Sequence, residues 1–391
     1  MEEDGGPLRS VVRWVVGGVI TLAVLTVVFH VAGGWYFSGR IESSGLQPQP
    51  PSRDYGVQVV SSDDGNVVLV GDDAAMFDPG IYSLVWDGGR ATMGEIVTLD
   101  EDSVTRTLPS KHGELPLSPA EVDIDAWMFN TPLDAGLGYA DVSFPSPLGD
   151  MAAWHVPAPD STTTWAIHIH GWRADRRETL RSLNTFHDAG VESLVISYRN
   201  DVGAPPDPSG RYGFGRTEWA DVEAAVRYAH ENGAEKIVLS GFSTGGAIAV
   251  AFLLESDLAD MVVAVVLDSP NLDFGQVVRA EASRTALIPS LPLKVPGTLT
   301  AAAMAIADLR YGIGWSSINY VDDPVPVGVP VLVFHGTEDE TVPIAVSHQF
   351  ATANRDSVAL VITDGAAHVR SWNVDPRQYE AELSDFLNDV S

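Results

Sequence analysis

The chain has 391 residues, 45% of them apolar, which suits two domains or one large domain with additions. Its formal net charge of −30 argues against nucleic acid as a partner, because phosphate binding needs a basic face; solubility is the simpler account of so acidic a surface. The absence of cysteine excludes disulfides, zinc–thiolate sites and thiol nucleophiles.

At the N-terminus no charged residue lies between Arg13 and Arg40, and the run Trp14 to Phe37 is rich in Val, Leu and Ile. That is long enough to cross a ~30 Å hydrocarbon layer as a helix. Trp14, Trp35 and Tyr36 sit where interfacial aromatics lie. Arg9 and Arg13 on one side against Arg40 on the other favour a cytoplasmic N-terminus, with the rest of the chain outside. A cleaved signal peptide is the rival reading. No convincing A-x-A site follows the run, and Glu2, Glu3 and Asp4 make a poor leader, so an uncleaved single-pass anchor over 1–40 is expected.

Residues 41–55, with Pro48, Pro50 and Pro51, read as a stiff extended linker. Short β-like runs follow at Val57–Ser61, Asn66–Val70, Gly80–Trp86, Thr92–Leu99 and Ser103–Leu108, punctuated by Asp64-Gly65 and Asp87-Gly88-Gly89. They define a small β-rich domain over 56–135. Asp63, Asp64, Asp72 and Asp73 lack the spacing of a calcium loop and are read as turn residues.

From 136 to 391 the texture changes. A hairpin over Tyr139–Phe144 and Met151–Val156 leads into strands at Thr164–His170, Ser193–Tyr198, Lys236–Ser240, Met261–Asp268, Val329–His335 and Val358–Thr363. Helical patterns alternate with them at Asp175–Ala189, Arg216–Asn232, Gly245–Leu254, Ile344–Ala353 and Pro376–Val390. Near-continuous Val/Ile/Leu runs alternating with helices predict a mostly parallel sheet covered on both faces, an α/β fold with its site at the carboxyl ends of the strands. The excursion at about 271–318 is too long for a connection and is expected to form a helical cap over that site.

Gly241-Phe242-Ser243-Thr244-Gly245 lies between an apolar strand and an apolar helix, the setting of a nucleophile elbow. Glycines flank the serine because a sharp strand–turn–helix junction leaves no room for Cβ atoms. A serine hydroxyl needs a base, and the base needs an acid behind it. His368, after the last strand, is the preferred base over His170, His335 and His348. Asp339, three residues before Val342-Pro343, is the preferred acid over Glu338, Glu340 and Asp268. The chain order Ser243, Asp339, His368 suits a strand-to-helix elbow enzyme.

From about Gly138 onward the chain resembles the α/β-hydrolase superfamily of serine hydrolases, in particular its membrane-tethered esterase-like and prolyl-peptidase-like members. The resemblance rests on the elbow, on His335-Gly336-Thr337-Glu338-Asp339 with Val342-Pro343, on His368, and on His168-Ile169-His170-Gly171-Trp172. It implies an oxyanion hole from the backbone amides of Thr244 and Trp172. Ser197-Tyr198-Arg199-Asn200-Asp201, with Glu218 and Asp221, is similar too, and Arg199 is read as ordering a loop rather than clamping substrate. The implied activity is hydrolysis of a small-molecule ester or acyl substrate through an acyl-enzyme, with no metal or organic cofactor. A peptidase or amidase, and a catalytically silent anchored binding module, remain as alternatives.

Overall fold

The structure is a computed structural model describing residues 7–53, 55–100, 102–288, 290–321 and 329–390, without the side chains of 7–9. Glu2, Glu3 and Asp4, and the side chain of Arg9, therefore lie outside the described residues. The chain forms two compact units, one of Met1–Gln47 with Val278–Trp315 and one of Pro48–Val277 with Ser316–Ser391.

The first unit begins with α1 (Pro7–Ile41), and a single π turn, Glu42–Leu46, continues it. Residues 42–46 were expected to be extended linker. Instead the Gln47 amide donates to the Glu42 carbonyl, the Gln47 side chain bonds the Glu42 carboxylate, and extended backbone starts only at Gln47.

In the second unit β1 (Val57–Asp63), β2 (Asn66–Gly71), β3 (Tyr82–Trp86), β4 (Gly89–Met93), β5 (Ile96–Leu99), β6 (Val104–Thr107), β7 (Ser110–His112) and β8 (Glu121–Asp125) form an antiparallel sheet in the order β5-β6-β2-β1-β8-β3-β4-β7. Alternate residues such as Val57, Val59, Val67, Leu69, Leu84 and Val104 build one core. The run read as a single strand over Thr92–Leu99 is two strands. At Gly94 the chain leaves β3 and β7 and turns to pair with β6, and the Gly94 amide donates to Thr107. Asp64-Gly65 is the β1–β2 turn, and Asp73 accepts from the Ala75 amide.

The second sheet comprises β9 (Ala140–Ser146), β10 (Gly149–Val156), β11 (Thr164–Ile169), β12 (Glu192–Ile196), β13 (Lys236–Phe242), β14 (Val262–Asp268), β15 (Val331–Gly336) and β16 (Val358–Thr363). Its order is β9-β10-β12-β11-β13-β14-β15-β16, antiparallel on the β9/β10 side and parallel from β12 onward. Helices α2 (Leu183–Asp188), α3 (Trp219–Glu231) and α4 (Thr244–Glu255) follow β11, β12 and β13. Between β14 and β15 lie α5 (Phe274–Arg284) and α6 (Gly297–Tyr311); α7 (Ala345–Ala353), α8 (Ser371–Val374) and α9 (Pro376–Val390) close the chain. The central strands are buried on both faces: every residue of β11 is buried, and six of seven in β14.

Within the first unit α6 lies along the last turns of α1. Cβ atoms added at Gly33 and Gly34 would stand 2.9 Å from Leu299 and 2.8 Å from Ile306, so the two glycines let the backbones approach. His30 bonds the Thr298 hydroxyl at 3.0 Å. Arg310 donates to the Trp35 carbonyl and the Ser38 hydroxyl while covering the Trp35 ring.

Candidate active site

The sheet delivers each candidate residue to the same carboxyl edge. β13 ends at Phe242 and α4 begins at Thr244, leaving Ser243 as the hinge at φ 51° and ψ −117°. A non-glycine residue held at that φ is strained, and the surroundings explain why it stays. A Cβ at Gly245 would stand 2.1 Å from the Ile169 carbonyl, and one at Gly241 would stand 2.5 Å from that of Gly245. The Ser243 amide donates to Asp268, and its carbonyl accepts from Asn271.

His368 comes from the loop after β16. Its Nε2 is 2.9 Å from Ser243 Oγ and its Nδ1 is 2.7 Å from Asp339 Oδ2. With the carboxylate facing Nδ1, that nitrogen carries the hydrogen and Nε2 offers a lone pair to the serine hydroxyl. Asp339 follows β15 with its side chain fully buried, and Oδ1 accepts the amides of Thr341 and Val342. Burial alone would raise this carboxyl. The neighbouring imidazoles, His368 foremost and then His335, outweigh it and hold the group well below the usual carboxylate range.

The rival histidines are braced elsewhere. His335 is fully buried, with Nδ1 2.7 Å from the Ser347 hydroxyl. Its Nε2 faces both the Val342 carbonyl and Asp339 Oδ2, at 3.1 and 3.2 Å. The carboxylate oxygen is thus shared by two imidazoles, a role sequence reading missed although the i, i+4 spacing was visible. His348 sits within α7. Asp268, the rival acid, is buried beneath the site, and burial pushes it up to about 6 against the pull of Arg181 and His368.

The loop after β11 forms the facing wall. A Cβ at Gly171 would stand 2.9 Å from Ser243 Cβ, so this segment lies directly on the serine. Glu178 accepts the Gly171 amide at 2.6 Å, and the Tyr198 hydroxyl donates to the carbonyls of His170 and Gly171. Arg173, at φ 57°, turns the chain and lays its guanidinium over the Trp172 ring. No hydrogen bond ties the amide of Thr244 or of Trp172 to another described residue. His170 bonds Asp201 at 2.8 Å; burial would lower its pKa, but Asp201 raises it to about 9. Arg199 pairs with Asp221 and Asp207, and Glu218 accepts the Gly213 and Gly215 amides. The 197–221 region therefore orders loops, and Arg199 is committed to them.

Three further residues steady the His368 loop. Asn373 donates to the carbonyls of Ile81 and Ala126 in the β-rich domain, and its own carbonyl accepts the Ile81 amide at 2.8 Å. Arg370 pairs with Asp78, and the buried Arg181 bonds both Asn373 and the Val369 carbonyl. A cavity of about 970 Å3, whose lining includes Arg53, Asp125, Arg173, Arg177 and His368, lies between the β-rich sheet and this edge.

The alpha/beta hydrolase family profile matches residues 166–382, more than half of the chain. The chain belongs to the alpha/beta hydrolase family. Its fold is the alpha/beta-hydrolase fold, preceded by an apolar N-terminal helix and a β-rich domain whose sheet spans 57–125. Residues 58–123 of that domain match a domain of unknown function (DUF8805). An uncharacterized protein of Bacillus subtilis (strain 168), YqkD, is 24% identical over 254 residues, 63% of this chain and 78% of YqkD. The Pyrococcus furiosus esterase Pf2001 superposes with a TM-score of 0.52 at 20% identity, covering 67% of this chain and 96% of that one. A second crystal form of Pf2001 gives 0.50 at 21% identity, over 66% and 93%.

Proposed function

We propose that this alpha/beta hydrolase is a serine hydrolase acting on carboxylic esters through Ser243, His368 and Asp339. The observation that carries the reading is the unbroken relay from the Ser243 hydroxyl through both ring nitrogens of His368 to a buried carboxylate. His368 Nε2 takes the serine proton as Oγ attacks the ester carbonyl, and Asp339 stabilises the imidazolium that forms. The amides of Thr244 and Trp172 are the donors for the oxyanion, each worth about 10²–10³ in rate. The imidazolium then protonates the departing alkoxide, the C–O bond breaks, and an acyl-Ser243 ester remains. Water, deprotonated by the same nitrogen, attacks that ester and returns the acid and the free serine. The esterase name of the Pf2001 neighbour agrees with this chemistry.

The N-terminal helix is long and apolar enough to span a membrane. An uncleaved anchor with a cytoplasmic N-terminus and the hydrolase outside is part of the same proposal. The docking of α6 on Gly33 and Gly34 favours retention, since a removed signal would leave that surface of α6 bare.

A fluorophosphonate probe tests the enzyme reading. Labelling of the wild type and loss of labelling in Ser243→Ala is expected; equal labelling of both overturns it. A panel of p-nitrophenyl esters against proline-containing anilides separates esterase from peptidase, with turnover of the esters expected.

A further inference from the structure

The excursion between β14 and β15 starts beside the nucleophile, where the Asn271 amide donates to the Ser243 carbonyl and Phe274 stacks on Phe214. Its distal part belongs to the same compact unit as the apolar helix. There α6 runs parallel to α1: Thr298 meets His30, Leu299 meets Gly33, Ile306 meets Gly34, and Arg310 meets Ser38. These contacts set a depth. Counting from Arg13, the last charge before the run, twenty residues lead to Gly33, about 30 Å of helix and one hydrocarbon thickness. His30 and Gly33 therefore mark the far boundary of the acyl layer, and Trp35 and Tyr36, both mostly exposed, fall in the interfacial belt.

Among the described residues, those entering α6 at that boundary pair as a hairpin. Ala286 bridges Lys294, and the amides of Leu287 and Val295 donate to the carbonyls of Leu293 and Thr285. The Leu291 amide closes the tip on the Ile288 carbonyl. These bonds, and three prolines that carry no N–H, reduce the polar backbone groups that the segment would present to lipid. Ile288, Leu291 and Leu293 are 45%, 44% and 55% exposed, three large aliphatic side chains in six positions with no acidic residue among them. Lys294 stands at the base, its ammonium on the Arg284 carbonyl, at the level where a cation meets headgroups. An aqueous surface gives no reason for such a tip beside an apolar helix; a leaflet does.

We propose that the 285–296 hairpin is a second membrane contact, seated in the same leaflet into which α1 emerges, and that the ester substrate is an acyl lipid dissolved in that leaflet. The substrate part rests on the serine-hydrolase reading above, and the membrane contact does not. One excursion thus carries both the residue whose amide bonds the Ser243 carbonyl and the lipid-facing tip, a linkage in the chain that a water-soluble ester does not require.

The absence of natural cysteines permits a clean test with the full chain in phosphatidylcholine vesicles. Leu291→Cys carrying an NBD fluorophore is compared with Leu133→Cys, an exposed leucine of the second unit. Blue-shifted emission quenched by doxyl-labelled lipid at 291, and iodide-quenched emission at 133, is expected. Iodide quenching at 291, or protection from both quenchers as in a protein–protein contact, overturns the membrane contact. Ile288→Asp/Leu293→Asp should then lower turnover of a long-chain p-nitrophenyl ester in the vesicles at least tenfold while leaving p-nitrophenyl acetate hydrolysis unchanged. Equal rates for wild type and variant on the vesicle substrate overturn the lipid assignment. Loss of fluorophosphonate labelling in the wild type would instead strike the serine-hydrolase reading, leaving the quenching result standing.

Discussion

The two eight-stranded sheets of this chain make an instructive pair. The antiparallel sheet is joined by short turns, and its two faces are distinguished by alternation, so its loops hold no convergent edge. The parallel sheet must cross over between strands, and the carboxyl ends of β11, β13, β15 and β16 consequently open onto one place. The candidate residues collect there: Ser243, Asp339 and His368, faced by the Gly171 wall. The antiparallel sheet influences that place indirectly, by gripping the loop that carries the imidazole. One sheet thus supplies the groups and the other helps to hold one of them still.

This division can be broken at graded points. The largest effect is expected from Ser243→Ala, a fall in ester kcat of about 10⁴-fold or more with the fold intact by circular dichroism. Asp339→Asn should follow, with kcat down about 10³–10⁴-fold, because the amide no longer supports the imidazolium and its NH2 can turn the ring to the wrong tautomer. Asn373→Ala tests the grip of the antiparallel sheet. It strips donors from the Ile81 and Ala126 carbonyls, so stability should drop by about 2–4 kcal/mol in urea titrations. Ester kcat should fall about 10- to 100-fold if the loop shifts with it. An unchanged kcat in the folded variant would reduce the β-rich domain to a passive neighbour.

The smallest effect concerns the wall that faces Ser243. His170 is raised to about 9 by Asp201, from 6.5 unfolded. Its contribution to stability is full below pH 6.5 and fades as pH rises through about 9. Asp201→Asn should lower the melting temperature by several degrees at pH 6 and by progressively less toward pH 9 in scanning calorimetry. Parallel melting curves across that range would remove the charged pair from the account.

The parallel half was legible because its signals are long and redundant. Continuous apolar strands, the elbow glycines and the chain order of serine, acid and base all pointed to one edge, and each strand expected there is present. The antiparallel half was less so. β8 escaped notice because Glu121, Asp123 and Asp125 alternate with the buried Val122 and Ile124, and the acids disguise the strand. β7, three exposed residues, carries no pattern at all. The helix expected over Asp175–Ala189 splits into a 3-10 stretch, Arg176–Ser182, and α2. Glu178 and Arg181, polar in sequence, face inward there to serve Gly171 and Val369, against the periodicity that predicts an outward face. Nor could sequence disclose the hold on Asn373, since it depends on residues remote in the chain being brought together; the His335 share of the Asp339 oxygen, at i, i+4, was within reach and was missed.

Arg106, strand-borne in β6 and wholly without solvent, donates to the carbonyls of Met76, Asp78, Gly80 and Gly94. Asp78 in turn holds Arg370, two positions beyond the imidazole, and the Tyr82 ring lies within 5.5 Å of both guanidinium groups. A lysine could not span four acceptors with one point charge. The β-rich domain would therefore transmit its loss inward: shortening that single side chain slackens the 76–80 turn, and the slack arrives at the loop of His368.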